Sequence, residues 1–523
     1  MPRPTGNLRS VPSAVRTTGD GPDLRHRTAP VAIIVGVFVV SRVVAYAAGL
    51  RFDDRLIHGA YQLLDVRLLR DDPLESIFYL HSQPPLFNAF TALVVRLPES
   101  FVNTTLMVLW HAAGLATALL LYATMVRVGV RNGLAAAFVC VFVLMPETLL
   151  VESWFFYTQL EMLLLALMFW GLARFASSRT TADGLCYTAI LGALVLLRSS
   201  FHILLMVLLI VIVWRQLRFD GRKLAAIAAV PLVVVGAWSV KNVVVFDSWS
   251  NSTWVGMNLS YLAHAGVTEP RCHELEARHV VSPIACVRAF SPPSAYAAEF
   301  PHPHRYGVAT TDDLFKSTGQ PNYNASLYVD VAKRYQSDAI DLLRDAGVAG
   351  LARAEAAAYT VWAEPGDDLL QLRRARGPIA GYADWFDRLV LLRPVATGGN
   401  NPARFTADAG PFPVGDALGS ISYTLLALFA LALYGGIAGW RRGRAGDPVL
   451  RCVCVAGLIV VGYSTLVGNG LDYRENNRFR VETAPVVLVL GALGAELATQ
   501  RLSRWGLDRS GAIRAPAEPQ RDR

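Results

Sequence analysis

The chain has 523 residues, 53% of them hydrophobic and 17% charged, with a mean hydropathy of +0.36 and a formal net charge of +8. Its apolar residues gather into long uninterrupted runs, which excludes a single soluble domain and describes an all-α polytopic membrane protein. The positive charge lies in arginines between those runs, with no basic patch interleaved with aromatics. Such arginines suit anionic lipid head groups, so nucleic-acid binding is not needed to account for the charge.

A polar, arginine-bearing tail (1–30) precedes the first run, 31–50. At about 1.5 Å rise per residue this run crosses a hydrocarbon core of about 30 Å. It is too long for a signal-peptide core and reads as an uncleaved anchor. The segment that follows, 51–103, places Asp53, Asp54, His81, Gln83 and the pair Pro84-Pro85 in one loop. Ionisable groups at a bilayer boundary lose hydration, so a paired carboxylate there marks a functional loop on the far side of the membrane, unless both residues simply end a helix in solvent. The prolines restrict the residue before each of them to extended backbone and so fix the loop's path.

Further runs of spanning type are 104–126, 133–150, 154–175, 185–197, 201–214, 224–246, 417–440, 449–467 and 483–499, about ten crossings in all. Arg198 and Ser199-Ser200 separate the shortest pair. Counting that pair as two crossings places Arg127 and Arg131, Arg174 and Arg179, Arg215 to Lys223, Arg441 to Arg444 and the tail 501–523 on one side. That is the positive-inside pattern, with both termini cytoplasmic in the plasma membrane. It exports 51–103, 247–415 and 468–482. The domains expected are thus the tail 1–30, a transmembrane module 31–246, an extracytoplasmic loop domain 247–415, C-terminal helices 416–500 and the tail 501–523.

Glu152 and Glu161 lie in PETLLVESWFFYTQLEM, where an acidic residue within a span marks function by default. The adjoining Trp154, Phe155, Phe156 and Tyr157 read as an interfacial aromatic belt. In the loop domain, 323–343 and 350–372 have helical apolar spacing, while 282–304 is rich in proline and histidine, giving a mostly helical cap. His302 and His304 form either a metal pair or ordinary loop residues. Triplets N-x-S/T at Asn251, Asn258 and Asn324 read as incidental in a chain whose four lysines and abundant arginine and alanine suggest a GC-rich bacterium. Cys140, Cys186, Cys452 and Cys454 fall in apolar spans as packing residues, whereas Cys272 and Cys286 are exported at a spacing that a disulfide closes.

One span, an exported loop opening on Asp53-Asp54, the run HSQPPLFN at His81 to Asn88, many later spans and a late exported loop DYRENNRFRVE carrying Arg478 and Arg480 together resemble the GT-C superfamily of membrane glycosyltransferases. The protein O-mannosyltransferase and lipid A aminoarabinose transferase branch is the most similar. The resemblance implies a GT-C bundle and inverting sugar transfer from a polyprenyl-phosphate donor at the outer membrane face. The acceptor would be a cell-envelope glycan, lipid or protein. Asp53 or Asp54 would be the general base, and Arg198, Arg478 and Arg480 would hold the leaving phosphate. His81, Gln83, Gln159 and Glu161 would contact donor or acceptor. No cofactor is firmly implied and a divalent metal stays open. The competing readings are a lipid-linked glycan polymerase or ligase, an envelope-lipid transporter and a non-catalytic scaffold. A transporter would carry internal symmetry and charges along the midplane, and neither is visible.

Overall fold

A computed structural model describes residues 24–369, 372–394 and 421–513. Most of the tail 1–30, residues 395–415 of the loop domain and the end of the tail 501–523 lie outside the described residues. The described chain is helical, and its extended pairing is confined to isolated bridges.

The helices run in order α1 (Leu24–Ala47), the short α2 (Leu56–Gly59), α3 (Val66–Asp71), α4 (Pro73–Phe78) and α5 (Pro85–Val94), then α6 (Glu99–Arg127), α7 (Asn132–Leu144), α8 (Pro146–Glu152), α9 (Tyr157–Ser178), α10 (Thr181–Leu197), α11 (Ile203–Leu217) and α12 (Gly221–Phe246). Next come α13 (Val255–Gly266), α14 (Glu269–Ala277), α15 (Ala309–Asp312), α16 (Leu327–Trp362), α17 (Arg373–Arg376) and α18 (Ala380–Leu389). The chain closes with α19 (Tyr423–Gly443), α20 (Pro448–Leu471) and α21 (Asn476–Ile513).

Seven of these, α1, α6, α9, α12, α19, α20 and α21, are long and apolar enough to cross a membrane, so the chain is a multi-pass integral membrane protein. The pair α7–α8, bent by 62°, makes an eighth if it is one broken span. The bend falls where Pro146 starts α8, since proline bars its predecessor from continuing a helix. By this test of length and composition the described helices give seven or eight spans, where the sequence reading expects about ten. The runs 185–197 and 201–214 form α10 and α11, which at 17 and 15 residues reach only about 26 and 23 Å. They are nevertheless separate helices, broken at Arg198–Ser200 as the sequence suggests. Arg179, at the turn before α10, donates to the carbonyl of Leu217 at the end of α11 (2.7 Å), so the pair goes out and comes back.

Valines 39, 40, 43 and 44 of α1 and 230, 233, 240 and 244 of α12 stay exposed, the surface expected where lipid replaces water. The last helix is the inner axis, with 89% of its apolar stretch buried. It crosses α19 at Gly435 and Gly494, where an added Cβ would meet the carbonyls of Leu490 and Leu431 at 2.0 and 2.3 Å. Small residues thus let the two backbones touch.

Basic turns share one end of the bundle, where Arg131 bonds Glu496 (2.9 Å) and Lys223 reaches the Arg179 carbonyl. At the other end, Asp53 exchanges backbone hydrogen bonds with Ser153 and Phe155 of the α8–α9 junction (Asp53 N–H to Ser153 O 2.8 Å, Phe155 N–H to Asp53 O 2.9 Å). There α13 and α16 pack through Met257, Tyr328 and Tyr335 together with Tyr296 of the intervening loop, and Cys272 of α14 is disulfide-bonded to Cys286. This layer is stitched to the first loop by Lys316 on the Ala60 carbonyl (2.8 Å) and by Asn324 on the His81 N–H (2.9 Å).

Candidate active site

A cavity of about 390 Å³ opens between the helix bundle and the α13–α16 layer, at the end away from the basic turns. Its bundle side is formed by Phe156 and Tyr157 at the start of α9, Arg198 at the end of α10, and Arg478 and Phe479 in the first turn of α21. Its outer side is Trp254, Tyr261, Arg288 and Phe290. The first loop enters at Leu56 and 59–62, and the turn joining α20 to α21 supplies Asp472, Arg474 and Glu475.

Two buried arginines share one carboxylate behind the wall. Arg198 lies 3.1 Å from Glu482 and 3.9 Å from Glu161 and bonds the Tyr157 hydroxyl. Arg478 lies 3.5 Å from Glu482 and 2.7 Å from Glu475. Buried charges persist only when paired, and Glu482 and Glu161 hold these guanidinium groups at the cavity edge instead of letting them turn to water. Four arginines (198, 288, 474, 478) and two carboxylates (472, 475) line the cavity, and Glu482 and Glu161 pair with two of those arginines from behind.

The α20–α21 turn is rigid. The Asn476 side chain donates to the carbonyl of Asp472 (2.9 Å) and to Asn469 Oδ1 (3.0 Å), and it accepts from the Arg474 N–H (3.0 Å). Arg474 itself has φ 129°, a conformation that favours glycine, and its guanidinium stacks over Tyr261 at 4.5 Å. Asp472 has its carboxyl pushed up to about 7, first by burial and then by Glu475, with Arg478 opposing.

The sequence-derived residues scatter around this geometry. Gln83, Arg198 and Arg478 line the cavity. Asp53 and Asp54 do not, because the first loop reaches the wall only from Leu56 onward, and Asp53 binds Arg55 (2.8 Å). His81 is fully buried between Thr253 (2.9 Å) and the Asn324 carbonyl (2.8 Å), and burial pulls its pKa down to about 3, so it is a neutral tie between segments. Gln159 and Glu161 are buried in α9 behind the wall. Arg480 faces the other way and is consumed by Glu147 (2.9 Å) and the carbonyls of Trp362 and Glu364.

Other readings change too. Trp154 to Tyr157 form no interfacial belt, since all four are buried and Phe156 and Tyr157 face the cavity. Glu152 is neutralised by Arg42 (2.8 Å). Among the described residues, the group spaced for a metal is His273, Glu276 and Cys286, with Cys286 occupied by its disulfide, and it includes neither His302 nor His304. Asn251 and Asn324 are buried, and Asn258 lines the cavity.

Sequence reasoning missed Asp472, Arg474, Glu475 and Arg288, together with the aromatic face of Tyr61, Trp254, Tyr261 and Phe290. The first three stand inside the DYRENNRFRVE segment, where the asparagine pair signals a locked turn. Arg288 and the aromatic face come from a loop region with no periodicity to read.

No family model matches the chain, and no curated protein matches it. Solved structures that align with it include the Archaeoglobus fulgidus oligosaccharyltransferase in its apo form, at TM-score 0.39 and 15% identity over 94% of this chain and 53% of that one. The same enzyme tethered to an acceptor peptide with the NVT sequon aligns at TM-score 0.38 and 14% identity, over 90% of this chain and 50% of that one. The chain thus spans about half the length of the structures it matches. At this level of similarity, function has to be argued from the chain's own residues.

Proposed function

We propose that this is a membrane glycosyltransferase that moves a sugar from a polyprenyl-phosphate donor to a cell-envelope acceptor, inside the arginine-lined cavity. The observation that carries the reading is the seating of Arg198 and Arg478 on the cavity wall at the bundle edge, braced from behind by Glu482. A departing lipid phosphate needs cations that cannot lose charge and that present a fork of donors, and arginine meets both requirements. Aimed at the charge that develops on the leaving oxygen, such groups act as electrostatic catalysts. The aromatic side chains of Trp254 and Phe290 opposite them suit the apolar faces of a sugar ring.

The gathering of basic turns at the other end of the bundle supports, by the positive-inside tendency, a cytoplasmic position for that end and an outer-face position for the cavity. There a lipid-carried sugar is accessible and a nucleotide sugar is not.

The test is transfer by the full-length protein in proteoliposomes. A panel of radiolabelled polyprenyl-phosphate hexoses and pentoses is presented with total membrane acceptors. One donor supporting time-dependent label transfer is the expected result. A folded protein that transfers from none of them overturns the reading.

A further inference from the structure

The cavity holds two carboxylates of different standing. Glu475 is 2.7 Å from Arg478 and is held in an ion pair with it. Asp472, the residue that ends α20, accepts the backbone N–H of Tyr473 and, among the described residues, takes part in no ion pair. Its position is fixed from the backbone side, because Asn476 grips its carbonyl (2.9 Å) in the turn where Arg474 is held at φ 129°. Strained backbone of this kind persists where the surrounding structure over-determines it, and here it is Asn476 and Asn469 that do so.

We propose that Asp472 is the general base that takes the proton from the attacking acceptor hydroxyl, an assignment that rests on the glycosyl-transfer reading above. In the step, the acceptor oxygen forms a bond to the anomeric carbon while the bond from that carbon to the phosphate oxygen breaks. The bonding pair leaves on the lipid phosphate, held by Arg198 and Arg478, and the acceptor proton passes to the Asp472 carboxylate. No oxidant or further reactant is required. The groups facing Asp472 are Glu475 and Arg474 from its own turn, Arg478 from α21, Arg198 from α10 and Tyr261 from α13. Their net effect with burial is a carboxyl near 7, basic enough to accept a hydroxyl proton in the transition state yet largely ionised just above neutrality. Asp53 and Asp54, the acidic pair of the first loop, lie outside the lining.

The experiment compares wild type, Asp472→Asn, Asp472→Glu and the double variant Asp53→Asn/Asp54→Asn in proteoliposomes, using the donor identified by the panel above. It measures kcat, the donor KM and the pH profile, with thermal melts to match folding. Asp472→Asn is expected to lose about 100- to 10,000-fold in kcat with donor KM little changed, and to lose the rise in rate that wild type shows up to about pH 7. Asp472→Glu recovers part of the rate and keeps a pH-dependent limb. The assignment is overturned if Asp472→Asn keeps both rate and pH profile, if it loses donor binding in parallel with kcat, or if the double variant alone abolishes transfer. No transfer by wild type from any donor is a separate outcome, which removes the underlying reading as well.

Discussion

Arg198 and Arg478, 280 positions apart in the chain, both rest on the carboxylate of Glu482, at 3.1 and 3.5 Å. That shared counter-charge lets two guanidinium groups stand side by side on a cavity wall within a largely apolar bundle. Removing one partner of a buried pair leaves an uncompensated charge, at a cost of about 3–5 kcal/mol. Glu482→Ala should therefore melt well below wild type in detergent, while Glu482→Gln, which keeps volume and hydrogen bonding, should recover part of that loss. Equal melting of Glu482→Ala and wild type would show that the arginines find other partners.

The glycine crossing of α19 and α21 has no slack, since a Cβ at Gly435 or Gly494 would sit 2.0 or 2.3 Å from a backbone carbonyl. Backbone cannot yield as a flexible side-chain end can. Gly494→Leu is expected to abolish the monodisperse species in size-exclusion chromatography, whereas the same change at Gly236, with open space around it, should leave that species intact.

The Cys272–Cys286 bridge closes a loop with sequence separation 14 in the outer layer. A loop of about 15 residues contributes about 3 kcal/mol by restricting the unfolded chain. Cys272→Ser/Cys286→Ser should leave the outer layer more open to proteolysis in intact proteoliposomes, with the bundle helices still protected. Unchanged protease sensitivity would show that the α13–α16 packing holds the layer alone.

Asp472 gives a pH signature in stability as well as in rate. Its folded-state pKa, about 7, lies above the unfolded carboxylate value, so the native state holds the proton more tightly. Its contribution to stability is full below the unfolded pKa and is lost as pH rises through about 7. Wild type should lose melting temperature between about pH 4 and 7 by more than Asp472→Asn does. Parallel curves would mean that Asp472 titrates as an ordinary exposed carboxylate.

How much of this could be read from the sequence depended on the length of the pattern concerned. Helical runs of twenty or more residues and the break at Arg198–Ser200 were legible, because hydropathy and charge act over whole segments. The length of α10 and α11 was not, since a window cannot say whether a run of 15 to 17 residues reaches across. Arg198 and Arg478 were legible as arginines placed beside spans, yet Arg480 looked the same and turned toward Glu147. Two residues apart on a helix, the pair points in different directions, and only packing decides which one meets the cavity. His81 stood in a distinctive motif whose role is to tie two loops through Thr253 and Asn324, a contact spanning 172 and 243 positions. Asp53 and Asp54 drew notice as a pair, while the cavity takes its carboxylates from the last turn.

The central claim, that the arginine-lined cavity is where sugar transfer occurs, is tested most directly at Arg478. Transfer of label from the accepted polyprenyl-phosphate sugar should be compared for wild type, Arg478→Lys and Arg478→Ala, at matched expression and with melts recorded. The account predicts that Arg478→Ala loses about 100- to 1,000-fold in rate, as expected when one donor to a developing oxyanion is removed, with Arg478→Lys falling between. Undiminished transfer by a folded Arg478→Ala protein would contradict it and place the chemistry elsewhere in the chain.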